Sequence, residues 1–205
     1  MLEAHDLAAR RGNAPLFAGL GFRVGEGEAL VVTGANGRGK TTLLRVLSGL
    51  TWPESGEVRL DGARVVPGSP ALRAAVTWSG HAAALKDELS ARENLVSLAA
   101  LSGMPVDETA VDSALERVSL RSRQGLPARS LSQGQRRRIG LARLALSRRR
   151  VWILDEPATA LDADGVATLE VLVTGHLEAG GLAVLSTHAP LALPPARMRP
   201  LALQG

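Results

Sequence analysis

The chain has 205 residues, 45% of them hydrophobic and 21% charged, a balance that supports one compact domain with a full core and excludes wholesale disorder. An aromatic content of 2% with no tyrosine argues against base-stacking platforms for RNA or single strands, and the lack of cysteine excludes disulfide frameworks and thiolate metal sites. The formal net charge is only +4, yet the pI is near 10.8 because the cations are nearly all arginines, with "RRR" at 136–138 and again at 148–150. Such runs suit nucleic acid, anionic lipid or phosphate, and equally an ordinary solvated helix face.

Taken in chain order, the N-terminal "MLEAHDLAARRG" lacks the apolar core of a signal peptide. "ALVVTG" (29–34) is a short apolar run closed by Gly34 and predicts a buried strand. "KTTLLRVLSGL" (40–50) follows with helical spacing and stops at Gly49. The "EGE" and "SGEVRLDGARV" segments read as hairpin material for a small antiparallel sheet. From about 80 to 147 the pattern is mostly helical and interrupts the alternation of strand and helix, as an inserted lobe does. Within it, "LSQGQRRRIG" (131–140) opens a helix on Ser132, a good N-cap, with Ile139, Ala142 and Leu146 on one face. A helix start of this kind presents backbone N–H groups and a positive dipole end to an anion, and Gly134 leaves room for close approach. "VWILDEP" (151–157) and "LAVLSTH" (182–188) predict two further buried parallel strands, joined by a crossover helix in "GVATLEVLVTGHLEAGG". The longest nearly uncharged stretch, 182–196, is too short to span a bilayer and carries Pro190, Pro194 and Pro195, so a soluble chain is expected.

The chemistry starts at "GANGRGKTT" (34–42), which fits G-x-x-x-x-G-K-[ST] in the strand-to-helix setting that motif needs. Backbone N–H groups of Gly34, Ala35, Asn36, Gly37, Arg38 and Gly39 can wrap phosphates, Lys40 can reach the outer ones, and Thr41 and Thr42 follow at the helix start. Thr41 offers a hydroxyl to Mg²⁺. Asp155 closes a strand and is placed to supply a second Mg²⁺ contact, while Glu156 can polarise an attacking water. An isolated Asp-Glu pair is more often a cap or surface charge; beside a phosphate loop the catalytic reading gains weight. His188 also ends a strand and can reach the γ-phosphate and its water.

These residues, in this order, resemble the ATP-binding-cassette family. "GANGRGKTT" matches its phosphate loop, "LSQGQ" (Leu131, Ser132, Gln133, Gly134, Gln135) its signature, "VWILDEP" its second carboxylate motif, "TALD" (159–162) its dimer-contact loop and "STH" its switch histidine. The resemblance covers essentially the whole chain. It implies an α/β fold: a P-loop NTPase core with a mainly parallel sheet, a small antiparallel β subdomain and an inserted helical subdomain at about 80–147 of a single 1–205 domain. It implies an ATPase that uses ATP and Mg²⁺, with Lys40, Glu156 and His188 as catalytic residues. In this family two copies pack head to tail and the signature of one caps the nucleotide held by the other, so Ser132 and Gly134 would meet a γ-phosphate in trans.

Two positions depart from the family pattern. Where an aromatic residue usually stacks on adenine, this chain reads "RRG", leaving Arg11 to stack by its guanidinium plane. Where a Gln usually links the catalytic site to the inserted lobe, "ARENL" aligns His81, either a Mg²⁺-water contact or a hinge residue of the lobe. "SGHAAALKDELSARENL" and "LSQGQRRRIGLARLALSRRRVWILDEPATALD" resemble the family's haem-exporter branch in cytochrome c maturation. That resemblance implies integral membrane transporter subunits as partners, a haem-handling chaperone reached indirectly, and a peripheral position at the cytoplasmic face of the cell membrane. The alanines of "GHAAALKDEL", Ala83 among them, can floor a groove for a membrane-subunit helix, with Lys86, Asp87 and Glu88 at its rim. His5 and His176 read as isolated surface histidines rather than haem ligands. An ATPase acting on nucleic acid is the competing class; the compact interval from Lys40 to Ser132 holds no sustained heptads and the chain has one cassette, so no nucleic-acid partner is expected.

Overall fold

The computed structural model describes residues 1–81, 84–104 and 106–203; Ala83, expected to help floor a groove, lies outside them. The chain divides into two units, one made of 1–80, 149–157 and 173–205, the other of 81–148 and 158–172.

The first unit opens with a long hairpin, β1 (Leu2–Arg11) and β2 (Ala14–Val24). β1 also pairs antiparallel with β4 (Ser55–Leu60), which turns at Asp61-Gly62 into β5 (Ala63–Arg64), giving a four-stranded sheet in the order β2-β1-β4-β5. "EGE" is not part of this sheet: Glu26-Gly27 is a turn ahead of β3 (Ala29–Thr33), and the Gly27 N–H donates to the Gly181 carbonyl at 2.7 Å. The phosphate-loop helix α1 (Lys40–Leu47) follows β3, and α2 (Pro70–Ala75) leads into β6 (Val76–Ser79).

β7 (Val151–Asp155), β8 (Leu182–Ser186) and β9 (Met198–Ala202) complete a second sheet, parallel throughout, in the order β6-β7-β8-β3-β9. Every residue of β7 and β8 is buried, as their unbroken apolar runs require of strands covered on both faces. The core joins Leu30 and Val32 of β3, Leu43, Leu44 and Leu47 of α1, and Ile153 and Val184 of the central strands. Each such leucine contributes roughly 1.5–3 kcal/mol by leaving water. Because β3, β7 and β8 run parallel, their C-terminal ends, and the polar residues that end them, share one edge of the sheet.

The second unit is helical: α3 (Ala91–Leu101), α4 (Glu108–Arg117) and α5 (Gln133–Leu146), together with the first part of α6 (Ala163–Glu178). α3 and α4 both pack on α5. Ser90 caps α3 in a reciprocal box with Glu93, and Asp107 caps α4 through the Ala110 N–H at 2.7 Å. The side chain of Asn94, 2% exposed, accepts from the Lys86 N–H at 2.8 Å and donates to the carbonyls of Lys86, Leu89 and Ser90, so it folds 86–90 onto α3. α5 buries Ile139 and Ala142 as their spacing predicts, but Leu146, expected on the same face, is only half-buried at the helix end. Among the described residues no helix is long and apolar enough to cross a membrane.

Candidate functional site

The phosphate loop joins β3 to α1. Gly39 caps the helix in a left-handed conformation, φ 92°, and a Cβ there would approach Leu16 Cβ to 3.0 Å and the Phe17 ring to 3.2 Å. Only glycine meets both demands, so the motif's third glycine is fixed by packing against β2 as well as by the turn. Lys40 is 6% exposed, and its Nζ donates to the carbonyls of Gly34 at 2.7 Å and Ala35 at 3.3 Å. The ammonium is thus held across the base of its own loop, where a phosphate oxyanion would compete for the same protons. Ala35, Asn36, Gly37 and Arg38 are exposed, while Thr41 and Thr42 are half-buried in the first turn of α1.

The carboxylates stand at the end of β7. Asp155 is 2% exposed and pairs in register with Ser186 of the neighbouring β8. The Ser186 hydroxyl donates to Asp155 Oδ1 at 2.8 Å and accepts the backbone N–H of Glu156 at 2.9 Å. Glu156 adopts φ 48°, a left-handed conformation rare for a residue with a long side chain. His188 Nε2 lies 2.9 Å from Glu156 Oε1. The structure therefore brings together Asp155, Glu156 and His188, and adds Ser186, whose part was not legible in the sequence. A glutamate so held, hydrogen-bonded to an imidazole, is equipped to orient and polarise a water; the imidazole can contact a transferred phosphate.

The Mg²⁺ assignment can be tested against donor chemistry. A threonine hydroxyl and a buried carboxylate are hard oxygen donors, which suits Mg²⁺, and Thr41 and Asp155 are both in the first unit. His81 is different. It belongs to the second unit, it is exposed, and its carbonyl accepts from the Arg137 guanidinium at 2.9 Å. Imidazole nitrogen is a poor direct ligand for so hard an ion, so a Mg²⁺ role for His81 would run through a bound water; the unit boundary falls between Gly80 and His81. Arg11 is exposed at the end of β1, at the tip of the first hairpin.

In the second unit the signature forms the start of α5. Ser132 Oγ accepts the Gln135 N–H at 3.2 Å, and Gln135 Oε1 accepts the Ser132 N–H at 3.1 Å, a reciprocal capping box. Leu131 is buried, Ser132 and Gln133 are exposed, and Gly134 passes so close to the TALD loop that a Cβ would lie 2.9 Å from the Ala160 carbonyl oxygen. Arg138, its side chain 9% exposed, donates to the Val118 carbonyl at 3.0 Å and to Asp162 Oδ1 at 2.6 Å. Asp162 also accepts the Gly165 N–H at 2.9 Å, and the Arg138 bond, ahead of that backbone donor, holds its carboxyl below the ordinary aspartate range. Signature and TALD loop are thereby fixed to one another. Ser132, Gly134, Gln135, Arg138 and Asp162 line one open hollow.

Of the two histidines set aside in the sequence, His176 is half-buried and not isolated. It stacks on Trp152, ring centroids 4.0 Å apart and planes 6° from parallel, and its Nε2 lies 3.1 Å from the Leu182 carbonyl. His5, half-buried on β1, has its Nε2 4.0 Å from Glu3 Oε1. Among the described residues no three His, Cys, Asp or Glu side chains converge as a metal cluster.

Residues 17–159 match the ABC transporter family. The chain belongs to the ABC transporter family. Its relatives include a protein named cytochrome c biogenesis ATP-binding export protein CcmA from Aromatoleum aromaticum, 49% identical over 95% of this chain and 92% of that one. A protein of the same name from Dechloromonas aromatica is 45% identical over 99% of this chain and all of its own. Among solved structures, an ABC transporter ATP-binding protein from Pyrococcus furiosus superposes with a TM-score of 0.84 at 25% identity, covering 98% of this chain and 96% of the other. An ABC ATPase is thus established on sequence and fold together, with the mixed architecture of a parallel sheet and a small antiparallel one.

Proposed function

We propose that this chain is the ATP-hydrolysing subunit of an exporter serving c-type cytochrome biogenesis, with haem delivery or release of haem from its chaperone as the work driven. The observation that carries the hydrolytic half is the coupled set of Asp155, Ser186, Glu156 and His188 at one strand edge, behind a phosphate loop with a buried lysine. The transport half is supported by near-full-length likeness to export proteins at 45–49% identity.

In this reading the loop 34–42 binds the ATP phosphates, with Lys40 exchanging its carbonyl partners for phosphate oxygens. Thr41 and Asp155 hold Mg²⁺, which when bound neutralises charge on the phosphates. Glu156 takes the proton of the attacking water, and His188 orients Glu156 and meets the γ-phosphate. A second copy, packed head to tail, supplies Ser132 and the first turn of its α5 to the same phosphate, and its TALD loop arrives with them because Arg138 ties the two. Arg11 covers the adenine and His81 acts at the unit boundary. The chain works at the cytoplasmic face of the membrane, docked on membrane subunits and acting on the chaperone through them.

The test separates the two halves. Purified Glu156→Gln should bind ATP with unchanged affinity and hydrolyse it at least 100-fold more slowly, as loss of general-base catalysis does. Cells with Glu156→Gln as the only copy should accumulate c-type cytochrome without haem. Normal haem attachment there would remove the haem assignment, and near-normal hydrolysis by the purified variant would remove Glu156 from its role.

A further inference from the structure

Among the groups gathered at the strand edge, Ser186 is the one to which the functional reading above gives no role of its own. Ser186 is wholly buried at the last position of β8, opposite Asp155 in the parallel ladder. A serine hydroxyl has one proton and two lone pairs. Here the proton goes to Asp155 Oδ1 at 2.8 Å, and a lone pair takes the Glu156 N–H at 2.9 Å. A single oxygen therefore touches both carboxylate residues, one through its side chain and the other through its backbone.

Each contact has a distinct consequence. Asp155 is 2% exposed, so its rotamer is set by protein partners rather than by water, and the Ser186 donor fixes which way the carboxylate turns. Glu156 sits at φ 48°, where the chain leaves the strand, and the bond to its N–H holds that unusual backbone and so aims the side chain that meets His188 at 2.9 Å. Outer partners of metal-ligating carboxylates commonly tune affinity and activity to this degree. We propose that Ser186 is a positioning residue that couples Asp155 to Glu156, so that the metal-holding oxygen and the water-polarising carboxylate keep one fixed relation. The inference rests on the reading of Asp155 and Glu156 given above.

The experiment compares full-length Ser186→Ala, Ser186→Thr and Glu156→Gln. ATP affinity is measured by titration of a fluorescent ATP analogue with EDTA and again with Mg²⁺, and steady-state hydrolysis is resolved into kcat and KM. Ser186→Ala should bind the analogue in EDTA like the wild type, lose most of the gain in affinity that Mg²⁺ confers, and drop in kcat by about 10–100-fold with little change in KM. Ser186→Thr, which keeps the hydroxyl, should recover most of both. A Ser186→Ala variant with wild-type kcat and wild-type Mg²⁺ gain overturns the inference. So does a Ser186→Thr variant that melts at the wild-type temperature yet is as slow as Ser186→Ala, because packing and not the hydroxyl would then be at work. Glu156→Gln keeps the two ideas apart: if it is inactive while Ser186→Ala is normal, only the coupling falls, and if it is active the reading of Glu156 falls first.

Discussion

Gly134→Ala sets two known effects against each other at the signature. Gly134 lies in the first turn of α5, and alanine is better than glycine in a helix by about 1 kcal/mol. Against this, the new Cβ would come within 2.9 Å of the Ala160 carbonyl oxygen, closer than carbon and oxygen tolerate. The obstacle is backbone and does not rotate away. Ala160 is already left-handed at φ 65°, and two residues on, Asp162 is anchored by Arg138 at 2.6 Å and by the Gly165 N–H at 2.9 Å. Forcing an extra methyl into such a place costs about 1–3 kcal/mol. The net loss should be up to about 2 kcal/mol, or roughly 4–8 °C in Tm for a chain of this size. Gly140 supplies the control, since it sits in the same helix with nothing within 4 Å of its would-be Cβ. Gly140→Ala should gain about 1 kcal/mol from propensity alone. Thermal unfolding by circular dichroism and steady-state hydrolysis on both variants decide the matter. If Gly134→Ala melts higher than the wild type, as Gly140→Ala should, and hydrolyses ATP normally, the close approach of signature and TALD loop is refuted.

Three further outcomes follow from the site and the core. Lys40→Ala should weaken binding of a fluorescent ATP analogue at least tenfold, because the loop loses its buried ammonium; unchanged affinity would contradict the phosphate role. Ser132→Arg should leave analogue binding intact but stop hydrolysis, and mixing it with Lys40→Ala should restore one working composite site in two; no recovery on mixing would count against capping in trans. Burial, ahead of the backbone bonds that oppose it, pushes the His176 imidazole below its ordinary value of 6.5. Below that value the unfolded chain takes up a proton that the folded chain refuses, so this contribution to stability is intact above about pH 6.5 and is lost as pH falls toward the folded pKa. His176→Phe, which keeps an aromatic ring against Trp152, should therefore melt progressively higher relative to the wild type as pH drops from about 7.5 to 5.5. A Tm difference that stays flat across that range would rule out the burial account.

The elements that were legible are those whose signal is local. β3, β7 and β8 are unbroken apolar runs ended by Gly or polar residues, and α1 and α6 carry helical spacing with glycines past their ends. β1 was not legible because its alternation changes phase: Leu2 and Ala4 are buried, then Leu7 and Ala9, with a register shift between Ala4 and Leu7 around the left-handed Asp6. At the site, the phosphate loop, Asp155, Glu156 and His188 each announce themselves by a motif. Ser186 does not, since its meaning lies in standing opposite Asp155, and that depends on β7 and β8 being neighbours although 31 residues separate the pair. The arginine runs, left open in the sequence between an anion site and a solvated helix face, were undecided for the same reason. Arg136 pairs with Asp87, Arg137 with the His81 carbonyl and Arg138 with Asp162, while in the first unit Arg149 donates to the Val76 carbonyl and Arg150 pairs with Asp61 and Glu26. A run of like charge along the sequence becomes a set of separate tethers once these guanidiniums point to different partners.

That tethering changes how the signature helix can act on an anion. An N-terminus attracts phosphate through donors that lack intrahelical partners, yet here the side chain of Ser132 already accepts from Gln135, and Gln135 in return accepts the Ser132 N–H. The Gln135 amide oxygen is thus engaged in holding the helix start. The Ser132 hydroxyl is different, because accepting uses a lone pair and keeps its proton for a phosphate oxygen. Gln133 and Ser132 are exposed, so donors and dipole face outward on a turn whose geometry is set before any anion arrives. With Arg138 fastening the TALD loop to the same helix, a second copy packed as proposed would meet both segments already in place. Little ordering is left to occur on contact, and preorganised donors of this kind act on developing charge more strongly than donors that must first be gathered.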